Sequence, residues 1–167
     1  MVTKQKESTL AVLLHADVMG STELVQRDEA LAHENIQHVF HSLSSVVAAH
    51  QGIAREIRGD ALVAEFSRAS DAVSAAVAFQ NEHAERHAAD GCETPPWIRI
   101  GIAMGEVIVA DNTVTGSGVV MAQRIEQLAT QGGVCIQGAV YETLPKRLPF
   151  FYRNLGEKQL KGFAEPV

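Results

Sequence analysis

Two acidic turns hold the residues best suited to chemistry. Asp17 ends the apolar run 10–16 and leads into the small-residue loop 18–22, and Asp60 follows Gly59 between two strand-like runs. Carboxylate oxygens are good ligands for hard divalent cations, and backbone N–H groups at the start of a helix bind phosphate. If the two strands are neighbours, the two aspartates meet at one edge of a sheet. Such a pair suits a metal-bound polyphosphate, as in an enzyme that acts on a nucleotide.

The elements that must position these turns follow from the hydrophobic pattern. The run 10–16 is continuously apolar, which is typical of a central strand buried on both faces. Helical spacing predicts one long helix from about 22 to 50, a second over about 71–87 and a third over 118–129. The remaining predicted features are strands at 53–57, 61–66, 97–104, 106–110 and 134–137, a chain turn at Gly105, and a closing hairpin from Phe150 around Gly156.

This order of elements predicts the fold class. A β-α-β-β-α-β succession, with helices on one face of a mainly antiparallel sheet, indicates an α+β fold of ferredoxin-like type with extra strands. We expect residues 1–9 to form a polar N-terminal segment and residues 10–167 to form one domain. The chain stops at Val167 in a strand-like stretch, so we expect that last strand to be cut short.

Composition excludes several classes of function. The chain has 167 residues, 46% hydrophobic and 20% charged, which is ordinary for one compact domain. Its net charge of −6 argues against a nucleic-acid partner, which calls for a basic face. No apolar run is long enough for a membrane helix, so we expect no membrane association within this segment. Cys92 and Cys135 lie far apart and form no CxxC pair, which favours a reducing, cytoplasmic location.

Several blocks of the sequence resemble one family when they are taken in order. The chain resembles the catalytic domain of class III nucleotide cyclases, the adenylate and guanylate cyclase homology domain, over about residues 10–167. The matching blocks lie at 16–22, 58–66, 99–108, 122–126, 132–138 and 155–162.

The resemblance implies a reaction and an assembly. The ribose 3′-hydroxyl of ATP or GTP attacks the α-phosphate, and pyrophosphate leaves. Two Mg²⁺ or Mn²⁺ ions per site would assist this displacement. The family works as a head-to-tail homodimer, in which one subunit supplies the metal-binding aspartates and the other supplies contacts to the base and ribose. As the output module of a signalling protein, such a domain is expected to have a regulatory domain in a longer chain.

The resemblance also implies roles for individual residues. Asp17 and Asp60 match the two metal aspartates, and Val18 would add a carbonyl ligand. Arg124 matches an arginine that stabilises the transition state, and its fixed donors can span two phosphate oxygens. The phosphate-binding positions would be the backbone N–H groups of Met19, Gly20, Ser21 and Thr22, together with the Lys161 side chain.

Three positions depart from the adenylate cyclase pattern. Val120 stands where the family has an asparagine that contacts the ribose, and it shares a helix face with Arg124. Glu56 stands where adenylate cyclases have a lysine that reads adenine, and a carboxylate there suits the N–H groups of guanine better. Thr113 occupies the second base-reading position and can donate or accept a hydrogen bond. Glu56 favours GTP, but a salt bridge to Arg55 or Arg58 would mask it, so the base stays open.

These departures leave two functions open. The first is an active cyclase that makes a cyclic purine mononucleotide. The second is a degenerate cyclase-like domain that dimerises and binds a nucleotide or another ligand as a signalling module, with little or no turnover. The retained Asp17, Asp60, Arg124 and Lys161 favour the enzyme, whereas Val120 favours the binding module.

Overall fold

The computed structural model describes residues 8–91 and 96–167. They form a six-stranded sheet and five helices, in the order that follows. The elements are β1 (Ser8–Val18), α1 (Ser21–Arg27), α2 (Glu29–Ala49), β2 (Ile53–Arg58), β3 (Ala61–Phe66), α3 (Ala69–Ala89), β4 (Ile98–Ala110), β5 (Thr113–Thr115), α4 (Ser117–Glu126), β6 (Val134–Ile136) and α5 (Gly138–Thr143).

The apolar strand β1 is central in the sheet, as its sequence predicts. The strand order is β2-β3-β1-β4-β5, and β6 pairs in parallel with β4. β1 runs antiparallel to both neighbours, so that Asp17 lies opposite Ala61 of β3 and Arg99 of β4. The β-α-β-β-α-β order and the α+β class are therefore confirmed.

Helices cover both faces of the sheet, which differs from the prediction of helices on one face. On the first face, Leu14 of β1 belongs to a core with Phe79 of α3 and residues of α2. On the second face, Leu13 belongs to a separate core with Ile125 of α4. Alternate residues of a strand point to opposite faces, so the odd-numbered residues of β1 point towards α4.

The single helix predicted over about 22–50 is two helices. Asp28 separates α1 from α2 with an extended backbone (φ −158°), and its Oδ1 accepts a hydrogen bond from the Leu31 N–H at 3.0 Å. An aspartate side chain that caps the following helix in this way stabilises a new start, which helical periodicity alone does not reveal.

Gly105 does not turn the chain, because β4 continues through it as one strand of 13 residues. A Cβ on Gly105 would lie 2.7 Å from the Cα of Gly118 in α4. The glycine therefore allows α4 to approach the sheet closely rather than forming a bend.

The C-terminal part also differs from the prediction. The structure assigns no strand within residues 150–167, so the hairpin from Phe150 around Gly156 is not found. Instead Lys158 and Val167 exchange backbone hydrogen bonds of 2.8 and 2.9 Å. At the other end, only Ser8 and Thr9 of the predicted polar segment 1–9 lie among the described residues, where they begin β1.

No helix within residues 8–91 and 96–167 has the length and hydropathy needed to cross a bilayer. Cys135 is a buried free thiol, whereas Cys92 falls outside the described residues.

Candidate active site

The two aspartates come together at the end of β1. Asp60 lies in the turn between β2 and β3, and its carbonyl accepts a hydrogen bond of 3.0 Å from the Val18 N–H, next to Asp17. The pairing of β1 with β3 produces this contact, as the sequence predicts for neighbouring strands. Two carboxylates thus lie at one edge of the sheet.

The surroundings of Asp17 favour a positive partner. Burial raises its pKa above the usual 3.8, and the nearby Asp60 carboxylate raises it further, while the Arg99 guanidinium, 3.3 Å from Asp17 Oδ2, lowers it. Within the described ranges no three His, Cys, Asp or Glu side chains group closely enough to hold a metal ion. The oxygen donors of Asp17, Asp60 and the Val18 carbonyl are of the type that Mg²⁺ and Mn²⁺ prefer.

The loop after Asp17 has the conformation that its glycine permits. Gly20 has a positive φ of 68° immediately before α1, a left-handed conformation that favours glycine. The Ser21 hydroxyl donates a hydrogen bond of 2.6 Å to Asp60 Oδ2 and so orients that carboxylate. The Met19 N–H already donates to the Trp97 carbonyl at 2.8 Å, so it is not free for a phosphate as the resemblance implied.

Two of the three departing residues share a cavity of about 330 Å³ between α4 and strands β2 and β3. Glu56 and Val120 line this cavity together with Gln123, which sequence reasoning did not single out. Glu56 forms an ion pair with Arg58, as one of the alternatives anticipated. Thr113 does not line the cavity, and its hydroxyl instead donates to the Ala110 carbonyl at 2.6 Å.

Arg124 and Lys161 also lie close together. The Arg124 Nε donates a hydrogen bond of 3.1 Å to the Lys161 carbonyl, and the Lys161 residue is exposed. Neither residue lines the 330 Å³ cavity. A larger cavity of about 720 Å³, between α5, β6 and the C-terminal segment, contains none of the predicted site residues.

Sequence reasoning missed a buried charged cluster that adjoins Asp17. Arg99 Nε lies 2.8 Å from Glu126 Oε1, and His15 Nδ1 lies 3.7 Å from Glu126 Oε2. Burial raises the pKa of Glu126 to about 7 and lowers the pKa of His15 to about 4. The available signal was an arginine within an otherwise apolar strand and a glutamate one turn after Ala122 on the apolar face of α4.

Comparison with known proteins identifies the family. The family model described as the adenylate and guanylate cyclase catalytic domain matches residues 2–166. The chain belongs to this family. It is 32% identical over 159 residues to the protein named "Putative adenylate cyclase 3" of Rhizobium meliloti (strain 1021), covering 95% of this chain and 27% of that protein. The chain spans between 27% and 58% of the length of the curated relatives that it matches.

Solved structures agree with the fold. The adenylate/guanylate cyclase/hydrolase from Silicibacter pomeroyi is 25% identical, with a TM-score of 0.85, over 96% of this chain and 94% of that one. The guanylyl cyclase Cya2 is also 25% identical, with a TM-score of 0.80, over 97% of this chain and 90% of that one. The fold is therefore that of the class III cyclase domains.

Proposed function

We propose that this chain is a catalytic domain that converts a purine nucleoside triphosphate to its 3′,5′-cyclic monophosphate and pyrophosphate. The observation that carries the proposal is the meeting of Asp17 and Asp60 at the end of β1, beside a glycine-containing loop, in a member of the cyclase family. The domain would act in the cytoplasm, where ATP and GTP are found.

Two divalent cations, Mg²⁺ or Mn²⁺, fit the donors at this edge of the sheet. Asp17, Asp60 and the Val18 carbonyl would hold them, and the ions would supply charge neutralisation at the phosphates and activation of the 3′-oxygen. The raised pKa of Asp17 supports this assignment. Burial and the neighbouring Asp60 carboxylate destabilise the ionised form of Asp17, and a bound cation would stabilise that form.

The triphosphate would lie over the start of α1. The first N–H groups of a helix have no acceptor within the helix, so Gly20, Ser21 and Thr22 offer donors at this position. Lys161 would bind the triphosphate, and Arg124 would stabilise charge that develops on the α-phosphate oxygens. The carbonyl of Lys161 accepts from Arg124 Nε, which limits the positions that this arginine can reach.

A homodimer would complete each site. Apolar side chains of α4 line the 330 Å³ cavity, namely Val119 and Val120, of which Val120 is 41% exposed. A second copy of the chain would cover them and bring its aspartates to the cavity that Glu56 lines. The curated relatives extend beyond the matched region, and we expect a regulatory domain to control the assembly.

The base is proposed to be guanine, with adenine as the alternative. Glu56 lines the cavity and can accept from the N–H groups of guanine, although its ion pair with Arg58 occupies one of its oxygens. Thr113 lies outside the cavity within one chain, so we assign it a base contact only in the dimer.

A binding module without useful turnover is the second candidate function. Val120 favours it, because an apolar side chain in the cavity cannot orient the ribose by a hydrogen bond. Such a domain would dimerise and bind nucleotide, and its signal would be the change in assembly.

The deciding experiment measures cyclic product from the purified dimer with Mn²⁺ and either ATP or GTP. Asp17→Asn should abolish the product, since it removes a charged metal ligand. Asp71→Asn is the matched control, because Asp71 lies in the first turn of α3, away from the site, where it pairs with Arg68 just before that helix. No product from either nucleotide in a sample shown to be dimeric would reject the enzyme and favour the binding module.

A further inference from the structure

Arg99 lies between two carboxyl groups. Its Nη2 is 3.3 Å from Asp17 Oδ2, and its Nε is 2.8 Å from Glu126 Oε1. One guanidinium therefore serves both the predicted metal ligand on β1 and the last residue of α4. The two acidic partners compete for a single positive charge.

Strand register and a glycine produce this arrangement. Asp17 and Arg99 are partners across the β1–β4 pair, and both point to the face that α4 covers. Gly101 lies two residues further along β4, and a Cβ there would come within 2.2 Å of the backbone nitrogen of Glu126. The backbone of α4 thus rests directly on the sheet, and this contact places Glu126 over Arg99.

Glu126 is more deeply buried than its partners. Its side chain is 2% exposed, against 24% for both Arg99 and Asp17. Arg99 Nε and Glu126 Oε1 are close without the alignment of a hydrogen bond, so electrostatic attraction rather than a directional bond links them. The buried ring of His15 lies on the other side of Glu126. The Glu126 carboxyl group is thus enclosed between the Arg99 guanidinium and the His15 ring.

We propose that Arg99 and Glu126 are positioning residues. Because Glu126 also attracts the Arg99 guanidinium, Arg99 neutralises the Asp17 carboxylate only in part, and Asp17 keeps its affinity for a divalent cation. Because Glu126 ends the helix that carries Arg124, the same contact links the cation site to that helix. This inference rests on the proposed function, since it concerns the cation site of that reaction.

Loss of the Glu126 charge would leave Arg99 to Asp17 alone. Arg99 would then neutralise Asp17 more completely, and the affinity for a cation would fall. Substitution of a residue that contacts a metal ligand, but not the metal itself, typically weakens metal affinity by about 10–100-fold. We expect Glu126→Gln to weaken it about tenfold. Glutamine keeps the size and polarity of the side chain, so the packing of α4 on β4 is disturbed little.

The test measures Mn²⁺ binding to the purified protein by electron paramagnetic resonance of free Mn²⁺, with Mn²⁺ alone as the probe. It is done at pH 8, above the pKa of about 7 for Glu126. The wild type is compared with Asp17→Asn, Glu126→Gln, Arg99→Gln and the Arg99→Gln/Glu126→Gln double variant. We expect Glu126→Gln to bind Mn²⁺ about tenfold more weakly than the wild type. The double variant should bind Mn²⁺ as tightly as Arg99→Gln alone.

A matched control separates this role from general stability. Arg55 Nε and Glu65 Oε2 form an ion pair of 2.8 Å elsewhere in the sheet, so Glu65→Gln should leave Mn²⁺ affinity unchanged. Thermal unfolding of every variant gives the folded fraction. Two results would overturn the inference and leave the proposed function intact. One is that Glu126→Gln binds Mn²⁺ as tightly as the wild type, and the other is that Glu126→Gln causes the same loss of affinity in the Arg99→Gln background. Equal Mn²⁺ binding by the wild type and Asp17→Asn would instead reject the proposed cation site, and this inference with it.

Discussion

We expect the choice of base to depend on Glu56. It lines the cavity between α4 and the sheet, and Arg58 pairs with it there. We predict that Glu56→Lys shifts the ratio of kcat/KM for GTP over ATP towards ATP by about 10- to 100-fold, because a lysine donates to adenine N1 whereas a carboxylate cannot. The measurement is steady-state kinetics with both nucleotides under Mn²⁺.

Glu65→Lys is the control for Glu56→Lys, since it makes the same charge change on the neighbouring strand outside the cavity. An unchanged nucleotide ratio in Glu56→Lys would show that this side chain does not read the base. The ion pair with Arg58 would then be its whole role.

Val120 separates the two candidate functions. It is 41% exposed on α4, so an asparagine fits there without a packing penalty. We predict that Val120→Asn raises turnover by about 10²–10³-fold if the domain is a weak enzyme, by analogy with the loss of a single donor to a transition state. Product formation from the better nucleotide measures the effect.

Leu31→Asn makes the same chemical change at an exposed position on α2 and should leave turnover unchanged. A Val120→Asn variant that binds nucleotide but gains no turnover would count against the enzyme. That result would favour a module in which the missing contact is one of several.

The packing of α4 on the sheet depends on glycines in β4. A Cβ on Gly101 would meet backbone atoms of α4, 2.2 Å from the Glu126 nitrogen and 2.4 Å from the Ala122 oxygen. Backbone cannot move aside as a flexible side chain can, so we predict that Gly101→Ala lowers the free energy of unfolding by about 3 kcal/mol. Urea unfolding provides the measurement.

Gly138→Ala is the matched control, because a Cβ at that position meets nothing within 4 Å. It should change the free energy of unfolding by less than about 0.5 kcal/mol. Equal stability of the two alanine variants would mean that α4 can shift on the sheet at little cost. The placement of Glu126 over Arg99 would then be less constrained than the contacts indicate.

The same elements explain which features the sequence could predict. Asp17 and Asp60 were predictable because each follows a strand-like run, and the β1–β3 pairing then brought them together. Arg99 and Glu126 were not, because their contact depends on β1–β4 register and on the close approach of α4 at Gly101. Register and helix approach are long-range properties that a local hydrophobic pattern does not specify.

The incorrect prediction of a chain turn at Gly105 has a related cause. A glycine inside a strand pattern suggests a turn or bulge when only local sequence is considered, yet it also marks a close backbone approach. Here the partner is Gly118 of α4, 13 positions further along the chain by number. The prediction of a single long helix was wrong for a local reason instead, since Asp28 caps α2 and ends α1.

Two buried groups give the folding stability of the protein opposite pH dependences. Glu126 has a pKa raised to about 7 from 4.5, so its contribution to stability is lost as pH rises through that interval. His15 has a pKa lowered to about 4 from 6.5, so its contribution is lost as pH falls through that interval. Arg99, Asp17 and Asp60 are the other charged groups that act on Glu126. The two slopes offset each other between about pH 4.5 and 6.5.

We therefore predict that Glu126→Gln changes the slope of stability against pH, and not only the stability at any one pH. Without the Glu126 contribution, the urea midpoint should rise with pH between 4.5 and 6.5 more steeply than that of the wild type. The measurement is urea unfolding in EDTA across that range. Parallel profiles for the two proteins would mean that Glu126 titrates in the folded protein near its usual value.

The helix α1 contributes no buried side chain, although it follows the loop that ends in Gly20. Of its side chains, the partly buried Leu24 packs against the core, whereas α2 buries seven residues, so α1 is held less firmly than α2. Segments with few buried contacts open locally at a small fraction of the global unfolding free energy. Amide protons of α1 should consequently exchange with solvent much faster than those of α2. A triphosphate bound at the proposed site would slow that exchange, so exchange at α1 would report whether the site is occupied.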